Sequence, residues 1–385
     1  MFLNKTIEEN EKLIKTAFQL HRSGEILPDT YLIDVDTLLE NAQKIKKAGD
    51  SYGIKLYYMT KQFGRNPYIA KELEKMGYDG AVVVDFKEAL RLMDNGIKLG
   101  HVGHLVQIPN QLMEKVLLGR PEIITIYSLE KAKEISDTCE RLGIIQEVML
   151  RVLEEGDNLY PGQYGGFYLE ELLPVVKKLM TMKNIKLTGL TSFPCFLFDE
   201  GQDSILKTKN VETLKKAKEL IEGSFDIKIT QMNMPSATSL ENIGLISAEG
   251  GTHGEPGHSL TGTTPYNSCH KGAEKPAIVY VSEISHNLRD KSYCYGGGHY
   301  RRSHMKNALV GKSLEEAKNI KVEAPSLESI DYHFELKEKA EVGETVVMAF
   351  RSQIFVTRST VALVRGISKD APCIIGFYDA QGRKL

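Results

Sequence analysis

"IKLYYMTKQFGRNP" occupies residues 54–67. Its first seven residues, rich in apolar and β-favouring side chains, read as a strand. The strand hands over to a lysine, Lys61, and then to a turn marked by Gly64 and Pro67. The same handover recurs along the chain. Short β-rich runs stand at "GAVVVD" (80–85), "LGHVGHLV" (99–106), "EIITIY" (122–127), "EVMLRVL" (147–153), "IKLTGLTSF" (185–193) and "IKITQMNM" (227–234). A weaker run, "LISAEGG" (245–251), completes a set of eight strands with residues 54–60. Between them lie amphipathic segments such as "SLEKAKEISDTCERLG" (128–143) and "VETLKKAKELIEG" (211–223), several ending at glycine as helices do. Alternating strands and helices predict a parallel sheet covered by helices. Eight units fit an α/β fold closed as a (β/α)8 barrel, with an open doubly wound sheet as the alternative.

Around this core the pattern changes twice. The opening "MFLNKTIEENEKLIKTAFQLH" (1–21) reads as an amphipathic helix without the apolar core of a signal peptide. After about residue 270, "KPAIVYVSEISHN", "ETVVMAFRSQIFVTRSTVALVRGI" and "PCIIGFYDAQGRKL" are β-rich with turns between them. The expected organisation is an N-terminal helix over 1–29 packing on a C-terminal β domain, the barrel over 30–270, and the mostly-β domain over 271–385. The Gly- and Pro-rich "EEGDNLYPGQYGGF", starting at residue 154, is a loop.

Composition excludes several functions. The chain has 385 residues, 42% of them hydrophobic and 26% charged, with a net charge of −2. No basic field points to nucleic acid, and no polybasic or long apolar run points to a membrane. The five cysteines are scattered, odd in number and without a CxxC pair. That favours reduced thiols in a cytoplasm over disulfides or a structural metal.

Active sites of (β/α)8 barrels lie at the C-terminal ends of the strands, where Lys61 falls. A lysine there can form a Schiff base when desolvation depresses its pKa; it can equally be an ordinary surface lysine. "MPSATSLENIG" (234–244) clusters Ser236, Thr238 and Ser239 after the seventh strand, where hydroxyls and backbone N–H groups suit an anion. "GGTHGEPGHSLTGTTP" (250–265) places Glu255 among glycines after the eighth strand. Loops seven and eight are the usual phosphate site of such barrels. A lysine, a phosphate cradle and a carboxylate together describe a site for pyridoxal 5'-phosphate.

With these residues in view, the chain resembles the fold-type III pyridoxal-phosphate enzymes, the alanine racemase class. The likeness runs through "TYLIDVDTLLENAQKIK" (30–46), "YYMTKQF", "AVVVDFKEALRLMDNG" (81–96) and the β-rich tail, nearly the whole chain. "YPGQYGGF", "YGGGHYRRSH" and "AFRSQIFVTRS" resemble most the YhfX-like branch. The resemblance implies that Lys61 is the Schiff-base lysine. It implies that Ser236 and Thr238, with Ser239 and the backbone at Gly257, hold the phosphate, and that Glu255 faces the pyridine nitrogen. Alanine racemases have an arginine at that last position; "EPG" is similar to the decarboxylase branch. Ser192 stands where alanine racemases have a histidine packing on the cofactor, with Phe193 as a substitute. "QFGRN" lacks the class's phosphate-binding tyrosine, for which Tyr378 is a substitute.

The class also implies a homodimer in which the β domain of one subunit supplies the second acid/base. "YCYGGGHYRRSH" offers His299, Tyr300 and His304 for proton transfer, Arg301 or Arg302 for a carboxylate, and Cys294 as a lesser candidate. The glycines are read as allowing close approach to a ligand. His253 and His258 flank Glu255; they can hold water or phosphate, or simply pack. No metal is expected. The expected activity is amino acid racemisation. Decarboxylation or aldol cleavage on the same scaffold, or a carrier without catalysis, are the alternatives.

Overall fold

A computed structural model of the protein describes residues 2–271 and 274–385. The chain forms two compact units. One comprises Lys44–Thr60 and Ala70–Gly257; the other comprises the residues up to Gln43, Lys61–Ile69 and His258–Leu385.

The first unit is a closed parallel barrel of eight strands: Lys55–Met59, Gly80–Val82, Leu99–Val102, Ile123–Ile126, Gln146–Leu153, Ile185–Thr191, Gln231–Asn233 and His253–Gly254. The eighth strand closes the ring by pairing Asn233 with His253, and His253 with Lys55. Pairing continues one step further: Met59 N–H donates to the Pro256 carbonyl at 2.9 Å, fixing the backbone just beyond Glu255. The strands are mostly buried, Ile123–Ile126 throughout and Gln146–Leu153 at every residue but Glu147, as expected of parallel strands covered by helices. The helices start and stop on local chemistry. Ser128 accepts the Lys131 N–H at the start of Leu129–Leu142, and Gly143 ends that helix in the left-handed region with φ 65°.

Six of the eight strands fall within the β-rich runs, and Gln146–Leu153 starts one residue before its run. The eighth does not. Residues expected as the strand 245–251 instead overlap the helix Ile243–Ala248, and the strand is the two-residue His253–Gly254.

The second unit is built on a mostly antiparallel sheet in the order Lys318–Lys321, Asn307–Gly311, Thr345–Met348, Ile278–Leu288, Thr30–Asp34, Thr360–Arg365, Cys373–Tyr378. Lys291–Tyr295 pairs with Ile278–Leu288, and His333–Leu336 pairs with Lys291–Tyr295. Thr30–Asp34 sits centrally, antiparallel to Ile278–Leu288 and parallel to Thr360–Arg365.

The N-terminal residues make two helices, Phe2–Glu9 and Glu11–Arg22, where the sequence suggested one. Asn10 separates them. Its Oδ1 accepts the Leu13 N–H at 3.3 Å, and its Nδ2 donates to Asp34 and to the Pro276 carbonyl. Asparagine favours this cap over helix interior because its short side chain satisfies an orphan N–H of the next helix. Leu13, Ile14, Ala17 and Phe18 then join Val279, Val281, Val347 and Ala362 in one core. Among the described residues no helix is long and apolar enough to cross a membrane.

Candidate active site

Glu255 follows the eighth barrel strand directly and is almost wholly buried. An isolated buried carboxylate would take up a proton, but this one is met by donors. His101 Nδ1, on the third strand, lies 2.7 Å from Glu255 Oε1. Asn233 Nδ2, at the end of the seventh strand, donates to the same oxygen at 2.6 Å. His104 Nε2 lies 3.9 Å from Oε2. Burial alone would raise the Glu255 pKa; His104, His101 and the Asn233 hydrogen bond reverse that and hold it down at about 2. The result is an anion inside the barrel. His101 is itself held from behind, its Nε2 against Thr125 Oγ1 of the fourth strand.

The hydroxyl loop is tied to this carboxylate. Thr238 Oγ1 accepts the Glu255 N–H at 2.9 Å. Ser236 Oγ donates to the Phe196 carbonyl. Ser239 N–H donates to Asn242 Oδ1 at 3.0 Å, while Ser239 Oγ is buried with no hydrogen-bond partner. None of the three hydroxyls caps the helix that follows, which starts at Ile243. Gly257 is buried at the end of the barrel unit, next to the Pro256 carbonyl held by Met59.

Ser192 does not present a free face. It donates to the Val152 carbonyl at 3.0 Å and accepts from Asn210. Phe193 is flanked by His104 at 5.3 Å, edge-on, and by Tyr160 at 5.4 Å. Arg151 of the fifth strand is fully buried, with Nη1 donating to Tyr127 Oη at 3.1 Å. His253 stacks on Tyr57 at 5.2 Å, and burial pushes its imidazole pKa down to about 3.

Lys61 comes two residues after the first barrel strand and opens the short 3-10 turn Lys61–Phe63, half-buried. Thr60, just before it, is fixed by donating to the buried Glu88. In the second unit the lysine turn is held by residues near 352: Ser352 Oγ donates to the Gln62 carbonyl at 3.1 Å. The neighbours of Ser352 both reach His258. Arg351 Nε donates to His258 Nε2 at 3.0 Å, and Gln353 Nε2 approaches the same nitrogen at 3.2 Å. Burial, then Arg351, Lys61 and Arg302 in turn, depress the His258 pKa well below its ordinary value.

The glycine triplet has an internal purpose. A Cβ on Gly296 would fall 2.0 Å from the Asp331 carbonyl oxygen, one on Gly297 1.9 Å from Asp29 Oδ2, and one on Gly298 2.3 Å from the Tyr280 ring. The close approach that the triplet permits is to the protein's own interior. His299 follows, half-buried, its N–H donating to Asp331 Oδ2 at 3.1 Å and its pKa lowered chiefly by burial. Tyr300 Oη accepts from Arg302 Nε at 2.9 Å. His304 is exposed with φ 56°. Cys294 is buried and its thiol is pushed up to about 12, so it stays protonated near neutrality and is no thiolate base there. Tyr378 lies in the last strand, paired with Val361 and against Gly376. No three His, Cys, Asp or Glu side chains among the described residues are arranged to hold a metal ion.

Sequence reasoning missed His101, His104 and Asn233, the residues that make Glu255 an anion, and Arg351 and Gln353, which fix His258. "LGHVGHLV" carries a signal in hindsight: two histidines three residues apart at a strand's C-terminal end, where a barrel places its chemistry.

Residues 33–265 match the family described as "Alanine racemase, N-terminal domain", and residues 279–374 match "YhfX-like, C-terminal domain". The chain belongs to the alanine racemase N-terminal domain family. Within that family it is 44% identical, over the full length of both chains, to the Escherichia coli (strain K12) protein named "Uncharacterized protein YhfX". The alanine racemase of Clostridium difficile 630, in complex with cycloserine, superposes with a TM-score of 0.65 at 18% identity, covering 92% of this chain and 99% of that one. D-threonine aldolase from Filomicrobium marinum gives a TM-score of 0.67 at 12% identity, covering 92% and 95%. Diaminopimelate decarboxylase from M. jannaschii gives 0.66 at 15%, covering 93% and 91%. At such identities the three solved structures establish the alanine racemase fold: a closed eight-stranded barrel with a mostly-β C-terminal domain.

Proposed function

We propose that the protein is a pyridoxal-phosphate enzyme acting at the Cα of an amino acid, most specifically an amino acid racemase. Enzymes of the alanine racemase fold normally use this cofactor. The observation that carries the proposal is Glu255, kept anionic inside the barrel by His101, Asn233 and His104.

The residues present fit the cofactor. The buried Ser239 hydroxyl has no protein partner, in the loop assigned to the phosphate. Ser236, Thr238, Ser239 and the backbone at Gly257 would hold the phosphate, with Tyr378 as the reserve ligand, and Lys61 would hold the cofactor covalently. When bound, the cofactor supplies an electron sink that stabilises negative charge at the substrate Cα. Glu255 would hold a proton at the ring nitrogen, because a carboxylate there raises the basicity of that nitrogen. The Lys61 amine would move the Cα proton on one face. His299, Tyr300 or His304 from a second copy of the chain would move it on the other, which makes the working form a homodimer. Five free thiols favour a reducing, cytoplasmic setting. The organisation proposed for the chain takes 1–29, 30–270 and 271–385 as N-terminal, barrel and β domains, with Thr30–Asp34 lending its strand to the β sheet.

A Cα exchange screen over the twenty amino acids in D2O tests this. Deuterium entering Cα of an otherwise intact amino acid, with loss of optical purity, is the expected result. Glu255 also favours a second activity, decarboxylation or aldol cleavage, since a protonated ring nitrogen serves those reactions too; release of CO2 or an aldehyde would select it. Cofactor binding without any exchange would select a carrier.

A further inference from the structure

The proposed function leaves one buried cation of the barrel unused. Arg151, on the fifth strand, is wholly buried. Its Nη1 donates to Tyr127 Oη at 3.1 Å, its Nη2 reaches the Phe193 carbonyl at 3.5 Å, and its guanidinium lies 5.6 Å from the centre of the Tyr127 ring. Its Nε–H meets no acceptor. Both oxygens it reaches are neutral, and among the described residues no carboxylate pairs with it. Arginine keeps its charge when buried, and a buried charge is costly unless an opposite charge meets it.

Arg151 belongs to a row. Register pairs it with Thr191 on the sixth strand, and Thr191 with Asn233 on the seventh. Residues in register on parallel strands share a face of the sheet. Asn233 decides which face: its Nδ2 reaches His101 of the third strand and Glu255, so the row points into the barrel. Each member carries one buried polar atom without a hydrogen-bond partner: Arg151 Nε, Thr191 Oγ1 and Asn233 Oδ1. Buried polar atoms are nearly always paired, so three unpaired side by side describe the complement of a polar ligand. At Arg151 that ligand presents an anionic oxygen, which the planar guanidinium is shaped to receive.

The row sits beside the carboxylate. Tyr127 donates on to the His104 carbonyl, and His104 Nε2 lies 3.9 Å from Glu255 Oε2. The loop that contains "YPGQYGGF" packs over it. Tyr160 lies on Phe193 at 5.4 Å, a Cβ on Gly165 would meet the Tyr127 ring, and one on Gly166 would fall 2.6 Å from the Arg151 carbonyl oxygen. Burial of this kind strengthens the pull of Arg151 on an anion.

We propose that Arg151 and Thr191 form a site for a small anion inside the barrel, separate from the hydroxyl loop. The anion is the carboxylate of the bound amino acid or a free inorganic ion; only the first identity rests on the proposed function. A cation that grips the carboxylate stabilises the substrate against loss of CO2, so the site favours the reactions that keep the carboxylate. Racemisation and aldol cleavage keep it; decarboxylation does not.

Calorimetric titration of the full-length protein with propionate, and separately with chloride, tests the site. Wild type should bind at least one of the two. Arg151→Met should weaken that binding about ten-fold to a hundred-fold, the range for a charge-assisted hydrogen bond. Thr191→Val, which keeps the shape and removes the hydroxyl, should weaken it about two-fold to ten-fold; it carries the test alone if Arg151→Met does not fold. Without added anion, Arg151→Met should melt no lower than wild type, because it removes an unpaired buried charge. Propionate binding that the variants lose assigns the substrate's carboxylate, and chloride binding without propionate binding assigns a resident inorganic ion. No binding of either probe by wild type, or equal affinity in wild type and both variants, overturns the site. A lowered melt of Arg151→Met with unchanged anion binding makes the arginine structural and overturns it too. Propionate bound at Arg151 by a protein that exchanges no Cα proton would keep the site and overturn the proposed function.

Discussion

His101 Nδ1 lies 2.7 Å from Glu255 Oε1, with both side chains at or below 3% exposure. This pair, and not the carboxylate alone, is what the barrel presents. Glu255→Ala would leave the buried His101 and Asn233 donors without their acceptor. Leaving a buried donor unsatisfied typically costs about 1–3 kcal/mol. Glu255→Gln, which keeps an acceptor oxygen, should cost less. Urea unfolding of the two variants against wild type reads the difference.

Acid should destabilise the fold in two overlapping windows. The folded pKa of His253 is lowered to about 3 from an ordinary 6.5, so the unfolded chain takes up that proton first as pH falls. The stability it contributes is complete above pH 6.5 and is lost as pH drops from 6.5 towards 3. Glu255, lowered to about 2 from 4.5, contributes fully above pH 4.5 and loses its share between 4.5 and 2. Unfolding free energy measured from pH 8 to pH 3 should therefore begin to fall below about pH 6.5 and keep falling to pH 3. His253→Gln should flatten part of the slope between 6.5 and 4.5, a range in which Glu255 adds nothing.

Gly297 has φ 128°, and a Cβ there would lie 1.9 Å from Asp29 Oδ2. Gly297→Ala should lower stability by about 1–3 kcal/mol or more, as strained backbone and overpacking add. Gly53, at φ 68° with nothing within 4 Å, is the control. Gly53→Ala should cost only the left-handed penalty, about 1–2 kcal/mol. Thermal melts of both variants separate close packing from backbone strain.

Phe18 of the second N-terminal helix is 2% exposed in the core shared with Val279, Val347 and Ala362. Phe18→Ala should destabilise by about 3–5 kcal/mol through lost burial and the cavity left behind. A melt unchanged from wild type would mean that the N-terminal helices contribute nothing to that core.

Much of this architecture is legible in the sequence because parallel strands buried on both faces leave continuous apolar runs. The eighth strand is illegible for the opposite reason. His253–Gly254 has no apolar run, while the apolar residues of "LISA" serve a helix that buries Ile243 and Ile246. Thr30–Asp34 is recognisable as a strand, yet its partners lie some 250 and 330 residues further on, and no local pattern names them. Lys61 and Glu255 are visible because residue type and strand-end position coincide. His101 and His104 are not, because a histidine in an apolar run has the same appearance whether it packs or pairs. The glycine triplet misleads in an instructive way. Glycine marks a close approach, but the neighbour approached is Asp29, Asp331 or Tyr280, and only the tertiary structure supplies it.

The central claim is that Lys61 carries the cofactor. Borohydride reduction of the full-length protein after incubation with pyridoxal 5'-phosphate, followed by peptide mass mapping, tests it most directly. The account predicts a stable pyridoxyl adduct on the peptide containing Lys61 and none on the Lys61→Ala variant. A protein left unlabelled, or labelled elsewhere with Lys61 unmodified, would contradict it.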